Sequence, residues 1–159
     1  MVGSVRVTSG ASTLMSVAHA GGQGKTTLAQ LLYLASKADA VTYKMCAADF
    51  VDESGRSKLG KLYPNQVTDF GPGARLTLAR TQNNANAPLR YWDALGPILL
   101  QGGSIIDVGA NVIAGIVEWG ADRNVASLME RRKAPGVDLF CICRAQKHAL
   151  DDMHTLIKS

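Results

Sequence analysis

The chain has 159 residues, of which 47% are hydrophobic and 19% are charged, a composition that predicts one globular domain over residues 1–159. Its formal net charge of +4 is mildly basic, but no run of Lys and Arg is long enough to form a nucleic-acid-binding tail. Three cysteines do not make a disulfide framework. The longest apolar stretch, residues 102–120, carries Asp107 and Glu118, which argues against a membrane span.

The first twelve residues contain Gly, Ser and Thr and lack the apolar core of a signal peptide. We expect residues 1–12 to form a loose lead-in with a short strand at 4–8. The first buried strand is predicted at residues 14–18, where the sequence is mostly apolar.

The most informative stretch follows that strand and is rich in glycine. It consists of Gly21, Gly22, Gln23, Gly24, Lys25, Thr26 and Thr27. A helix predicted over residues 26–37 begins inside it. One face of this helix is predicted to carry Leu28, Leu31, Leu32 and Ala35. Strand, glycine-rich turn, Gly-Lys-Thr and helix is the order of a phosphate-binding loop. A glycine-rich turn without a ligand is the alternative, and the flanking strand and helix favour the phosphate loop.

The residue types of this loop suit phosphate chemistry. Glycines let the backbone wrap closely around an anion, so that several N–H groups point at it. The N-terminus of the following helix adds partial positive charge. Lys25 is predicted to reach the β- and γ-phosphates of a nucleotide, and the Thr26 hydroxyl to bind Mg²⁺.

Acidic residues come after two further predicted strands. Asp49 and Asp52 follow the strand predicted at 41–47, and Asp107 lies in an apolar run at 104–110. Ligands of open α/β sheets bind at the C-terminal edge of the strands, so Asp49 is expected to face the phosphates. An apolar strand that ends in Asp is the Walker B pattern, whose carboxylate holds Mg²⁺ directly or through water. Alternatively, Asp107 caps a helix that begins near Asn111.

The remaining segments continue the alternation of strands and helices. Helices are predicted at 57–63, at 91–101, at 111–129 with a break around Gly120, and at 145–157. Residues 67–88 show no regular pattern apart from strand-like alternation at 75–80. A buried strand is predicted at 137–143, with Cys141 and Cys143 as small hydrophobic residues on one face. This order predicts an α/β fold with a doubly wound, mostly parallel sheet of about four core strands flanked by helices.

Three segments resemble the ParA/MinD-like branch of the P-loop ATPases, which has a deviant Walker A loop. They are Gly-Gly-Gln-Gly-Lys-Thr-Thr at 21–27, Ala-Asp-Phe-Val-Asp-Glu at 48–53 and Ile-Ile-Asp-Val-Gly-Ala-Asn at 105–111. The third is similar to a variant of the TraL- and StbB-like conjugative-plasmid subgroup. The chain differs from the general phosphate loop at His19, where Gly is usual. It differs from this branch at Ala20, where a lysine normally crosses a dimer interface to the partner's nucleotide.

The resemblance implies ATP and Mg²⁺ as ligands and assigns roles to matching residues. Residues 21–27 would bind the nucleotide, with Lys25 also acting in catalysis. Asp49 would orient the attacking water, with Asp52 as a second candidate. Thr26 and Asp107 would hold the metal. Chains of this family normally continue with further strands, one of which reads the adenine base.

Three functions follow from these expectations. The first is a cytoplasmic, Mg²⁺-dependent ATPase that acts as a nucleotide switch in plasmid partition or conjugative transfer. Its partners would be a second copy of the chain, a partition or conjugation protein, or DNA. In such a protein His19 and Arg56 are the candidates to substitute for the missing lysine. The second is a small-molecule or nucleotide kinase with a lid containing Arg75, Arg80 and Arg90. The third is a non-hydrolysing nucleotide-binding scaffold, which Ala20 favours.

Overall fold

A five-stranded sheet forms the centre of the computed structural model, which describes residues 10–70 and 92–143. The strands are β1 (Thr13–Val17), β2 (Lys44–Ala48), β3 (Val67–Phe70), β4 (Ser104–Val108) and β5 (Val137–Cys141). Their order across the sheet is β3-β2-β4-β1-β5, and every neighbouring pair is parallel. The predicted α/β class is confirmed, and the sheet has one strand more than expected.

Helices lie on both faces of this sheet. They are α1 (Lys25–Ala38), α2 (Lys58–Leu62), α3 (Leu95–Gln101), α4 (Ile113–Asp122) and α5 (Val125–Arg131), with short 3₁₀ turns at Trp92–Ala94 and Ala110–Val112. Parallel strands need crossover connections, and these helices provide them for the described part of the sheet. Within residues 10–70 and 92–143, no helix combines the length and apolar character needed to cross a bilayer.

The two faces of the sheet carry different cores because side chains alternate along each strand. On one face, which we call the apolar face, residues such as Ile106 and Val108 pack with Trp92 and Trp119. On the other, which we call the loop face, Ala47 and Ile105 pack with Ala29 of α1 and Leu59 of α2. Asp107 alternates with Ile106 and Val108, so its carboxylate lies on the loop face beside α1. Strand periodicity therefore decides which core receives this polar group.

Strand β5 was predicted to be buried, and this prediction was wrong. β5 is an edge strand that pairs with β1, and Leu139 on it is 59% exposed. Cys141 is half-buried and Cys143 is exposed beyond the end of the strand. Cys141 and Cys143 are not core residues, because β5 is the last strand at one edge of the described sheet.

Two helical predictions also need correction. The break predicted around Gly120 lies instead after α4, where Asn124 adopts a left-handed conformation with φ of 49°, which Asn tolerates better than most residues. On α1, the buried side chains are Lys25, Ala29 and Ser36, with Leu32 partly buried. Leu31 is exposed. Small Ala29 and Ser36 let the helix pack closely on the sheet, which rotates Leu31 outward.

Other predicted elements match the structure within a few residues. The helix predicted at 57–63 is α2, and the one predicted at 91–101 is a 3₁₀ turn followed by α3. β3 was not predicted as a strand. The strand at 4–8, the strand-like segment at 75–80 and the helix at 145–157 lie outside the described residues, as do Arg75, Arg80 and Arg90.

Candidate functional site

A cavity of about 500 Å³ lies at the C-terminal edge of the sheet, where the neighbouring strands β1, β4 and β2 end. Its volume is within the range of small-molecule sites. Three segments line it. They are residues 21–27 after β1, then Asp107, Gly109, Ala110 and Asn111 at the end of β4, and Asp49, Phe50 and Lys58 after β2. The cavity therefore collects the glycine-rich loop and two of the three predicted acidic residues.

The glycine-rich loop has a backbone that requires glycine at two positions. Gly22 has φ of 70° and Gly24 has φ of 95°, a left-handed conformation that other residues adopt at a cost. Gly24 is also the N-cap of α1, and no described side chain caps that helix end. The first N–H groups of α1 are thus available to an anion, and the helix dipole adds favourable charge.

Lys25 is held close to this loop. Its side chain is only 8% exposed, and its Nζ donates a hydrogen bond to the Ala20 carbonyl oxygen at 3.1 Å. An ammonium group has three donors, so this bond leaves capacity for a ligand in the cavity. The lysine is prepositioned by the backbone of the loop it follows.

Thr26 and Asp107 form the polar centre of the cavity floor. The Thr26 hydroxyl donates to Asp107 Oδ2 at 2.6 Å, and the Ser16 hydroxyl donates to Oδ1 at 3.3 Å. Burial raises the pKa of Asp107. The bond from Thr26 opposes this rise, the nearby charge of Asp49 adds to it, and Ser16 and then Lys25 oppose it. The carboxyl group is therefore a desolvated acceptor held beside a hydroxyl.

The alternative role of Asp107 as a helix cap is wrong. Neither the 3₁₀ turn at Ala110–Val112 nor α4 has a side-chain cap. The carboxylate of Asp107 accepts its hydrogen bonds from Ser16 and Thr26 instead. Its position on the loop face directs it towards α1 and away from the following helix.

Asp49 lies in the same cavity, in close contact with Gly109. The carboxylate packs so closely on Gly109 that an added Cβ would clash with it, and the Phe50 amide donates to Asp49 Oδ1 at 2.8 Å. The Gly109 amide donates to the Ala48 carbonyl oxygen at 2.8 Å. The ends of β2 and β4 are thereby fixed against each other, and Asp49 is held at the edge of the cavity.

Asp52 does not line the cavity. Its carboxylate accepts hydrogen bonds from the Ser54 amide and hydroxyl and forms an ion pair with Lys61 at 2.6 Å. Lys61 first, then Ser54 and the Arg56 amide, lower the pKa of Asp52 well below its usual range. The structure thus separates the two candidates, with Asp49 at the cavity and Asp52 in its own turn.

The residues present fit a magnesium–nucleotide complex better than a metal held by protein alone. Among the described residues, no group of three or more His, Cys, Asp or Glu could hold a metal ion. Mg²⁺ in nucleotide sites takes one or two protein ligands and completes its shell with phosphate oxygens and water. The Thr26 hydroxyl and the Asp107 carboxylate are oxygen groups of the kinds that such ligands use. Gln23 Oε1 in the loop is buried without a protein hydrogen-bond partner in the described structure.

The sequence did not identify every residue of the cavity. Neither His19 nor Arg56 lines it, and the Arg56 guanidinium donates to the Gly60 carbonyl oxygen at 3.3 Å. Among the described residues, the basic side chains that line the cavity are those of Lys25 and Lys58. A lysine in a short polar segment carries no motif, so only the fold reveals its place.

No family model and no curated protein matches this chain. The features of the chain that bear on its function are therefore the cavity and the three segments at 21–27, 48–53 and 105–111.

Proposed function

We propose that this chain binds ATP with Mg²⁺ in the cavity and hydrolyses it slowly, as a ParA-like nucleotide switch in plasmid partition or conjugative transfer. The observation that carries the proposal is the hydrogen-bonded pair of Thr26 and Asp107, set directly below the uncapped start of α1. A hydroxyl and a carboxylate beside the N–H groups of a helix start without a side-chain cap suit a metal–phosphate ligand.

The glycine-rich loop and four of the cavity's polar side chains have defined parts in this proposal. Backbone N–H groups of residues 21–27 bind the phosphates, and Lys25 neutralises their charge. Thr26 and Asp107 hold the metal, which supplies charge neutralisation at the β- and γ-phosphates. Asp49 accepts a hydrogen bond from a water molecule and orients it towards the γ-phosphate. Asp52 has no part, because its carboxylate is engaged with Ser54 and Lys61.

A switch also needs segments that respond to the terminal phosphate. The turn that follows β2 and the turn that follows β4 meet through Asp49 and Gly109, and both turns line the cavity. A terminal phosphate that contacts both turns would hold them together, and its loss would release them. This pair of turns is the bistable element of the proposed switch.

One alternative has a specific observation in its favour. Ala20 stands where the resembling ATPases carry a catalytic lysine, so a scaffold that binds ATP without hydrolysing it would use the same cavity. The kinase alternative depends on arginines outside the described residues. Turnover of ATP to ADP separates these functions. It occurs with ATP and water alone for the ATPase, which releases phosphate, and only with an acceptor for the kinase, which transfers the phosphoryl group to that acceptor. The scaffold shows no turnover in either case.

The test is a titration of the purified chain with ATP in the presence and absence of Mg²⁺, followed by phosphate release from the same sample. Lys25→Ala should weaken ATP binding by about a hundredfold, since it removes a desolvated charge at the phosphates. Lys37→Ala is the matched control, because Lys37 lies on the same helix with its Nζ 4.5 Å from the centre of the Tyr33 ring. Equal affinity in the wild type and Lys25→Ala would refute the assignment.

A further inference from the structure

Lys58 is the cation of the cavity that has no role in the function proposed above. We propose that Lys58 binds the terminal phosphate of a nucleoside triphosphate and makes the cavity prefer triphosphate to diphosphate. The inference rests on the proposed nucleotide binding, and it concerns which nucleotide the site retains. Lys58 would supply, from within the same chain, positive charge of the kind for which His19 and Arg56 were the candidates.

The backbone of Lys58 is fixed on both sides. Ser57 is 1% exposed and Leu59 is 0% exposed. The Ser57 amide donates to Asp69 Oδ1 of β3 at 3.1 Å, and the Ser57 hydroxyl accepts a hydrogen bond from the Gly60 amide at 3.0 Å. Lys58 therefore stands on an anchored turn between two buried neighbours, and its own side chain is exposed. Such a turn fixes the backbone of Lys58 relative to the sheet, and the flexible side chain carries the ammonium group from that point.

Among the described residues, Lys58 also differs from its basic neighbours in having no hydrogen-bond or ion-pair partner. Lys61 pairs with Asp52, Arg56 bonds to Gly60, and Lys25 bonds to Ala20. Within the described part of the chain, Lys58 has neither a hydrogen bond nor an ion pair. A ligand phosphate would therefore not have to displace an existing interaction, and a charge-assisted bond to phosphate is among the stronger polar contacts.

The order of the strands places Lys58 on the far side of the cavity from the glycine-rich loop. The loop follows β1, and Asp107 lies one residue before the end of β4, the strand between β1 and β2. Lys58 begins α2, which connects β2 to β3 on the side of the sheet away from β1. Adjacent strands lie about 4.8 Å apart, so the end of β2 is roughly 10 Å from the end of β1. An anion held by the loop must extend across the end of β4 to reach Lys58. A triphosphate extends one phosphate further than a diphosphate.

Even with the metal that Thr26 and Asp107 would hold, the extra phosphate would meet the negative charge of Asp49, which a second cation offsets. Asp49 and Asp107 bring two carboxylates to the wall formed by β2 and β4, and Lys25 lies beside the loop. A third phosphate that approaches Asp49 would meet like charge, which Lys58 on the same wall offsets. A diphosphate retained at the loop stays away from this wall and gains little from Lys58.

The experiment compares the affinities for a non-hydrolysable ATP analogue and for ADP, each with Mg²⁺ at constant ionic strength. Lys58→Ala should weaken binding of the analogue by about tenfold and change ADP binding by less than about twofold. Lys58→Arg should keep most of the preference because it preserves the charge. Lys61→Ala is the matched control, one turn further on α2 and paired with Asp52, and it should leave both affinities unchanged.

The outcomes distinguish this inference from the proposed function. If Lys58→Ala weakens both nucleotides equally, or neither, the role of Lys58 is wrong although the wild type binds nucleotide. If Lys61→Ala has the same effect as Lys58→Ala, general surface charge explains the result and the inference also fails. If the wild type binds neither nucleotide, the proposed function fails, and the role of Lys58 fails with it. Thermal unfolding of each variant verifies that the fold is intact.

Discussion

The two faces of the sheet are built from the same strands but bury different kinds of side chain. The apolar face buries large side chains, among them Trp92, Leu95 and Trp119. The loop face has a smaller core and buries the polar groups Ser16, Lys25 and Asp107 instead. Buried polar groups cost folding free energy unless they are well paired. The comparison indicates that the apolar face provides the stability that allows a charged cavity to persist on the other side.

The largest expected effect is a loss of stability when a tryptophan is removed from the apolar face. Trp119 is 2% exposed, and its Nε1 donates to Asp93 Oδ1 at 2.9 Å. Trp119→Ala should lower the free energy of unfolding by about 3–5 kcal/mol, because it leaves a cavity in the core. Urea unfolding measures the loss. Affinity for ATP, measured where the variant remains folded, should stay close to that of the wild type.

Val117→Ala is the control for this substitution, since Val117 lies on the same helix and is 38% exposed. Its effect should be within about 0.5 kcal/mol. A loss of ATP affinity in folded Trp119→Ala would contradict the division of labour between the two faces.

The next largest expected effect is a loss of phosphate release. It distinguishes Asp49 from Asp52 as the residue that orients the attacking water. Asp49→Ala should preserve ATP binding and reduce phosphate release by about a hundredfold, since it removes the group that orients water. Asp52→Asn should leave the rate unchanged because Asp52 lies outside the cavity. Steady-state phosphate release measures both variants. A normal rate in Asp49→Ala, or a comparable loss in Asp52→Asn, would reject the assignment of Asp49.

A smaller effect is expected where Asp49 meets Gly109. In Gly109→Ala the new Cβ would clash with the Asp49 carboxylate, which must move away from its place in the cavity. Phosphate release should fall by about tenfold, less than in Asp49→Ala, because the carboxylate is displaced and not removed. The double variant Gly109→Ala with Asp49→Ala should be no slower than Asp49→Ala alone. Additive losses would show that Gly109 acts independently of Asp49.

Patterns within short stretches of sequence predicted those cavity residues whose place depends only on their own strand or loop. The apolar runs gave β1, β2 and β4, and the strand ends gave Asp49 and Asp107, because ligands bind at that edge of a parallel sheet. The same rule could not separate Asp49 from Asp52, since both follow β2. Their difference arises from hydrogen bonds to Ser54 and the ion pair to Lys61, which depend on how the turn folds.

Features that depend on the order of the strands could not be predicted from the sequence. Strand β3, Val67–Phe70, has two polar residues in succession and so lacks the apolar–polar alternation of a strand. The exposure of β5 follows from its place at the margin of the sheet, which periodicity does not encode. Lys58 reaches the cavity because Ser57 is bonded to Asp69 on β3, a contact between segments that no local pattern contains.

The smallest expected effect is a gain in stability. It tests whether burying the charged Asp107 carboxylate on the loop face lowers the free energy of unfolding. Burial raises the pKa of Asp107 in the folded chain above its ordinary value of 3.8, so the folded state holds the proton more tightly than the unfolded state. The free energy of unfolding of the wild type should therefore fall as pH rises from about 3.8 through the folded pKa. Asp107→Asn cannot titrate and keeps an acceptor for the Thr26 hydroxyl.

Asp107→Asn should accordingly equal the wild type in stability below the ordinary pKa of Asp and exceed it at neutral pH, in buffer without Mg²⁺. Urea unfolding across this pH range measures the difference between the two curves. Glu118→Gln, which neutralises an exposed carboxylate on α4, should follow the wild type throughout. The same Asp107→Asn variant should lose most of the Mg²⁺ dependence of ATP binding, because an amide is a poorer ligand for this cation. A variant that is less stable at neutral pH would mean that the hydrogen bonds from Ser16 and Thr26 outweigh the desolvation of Asp107, and that the charged cavity stabilises the fold on its own account.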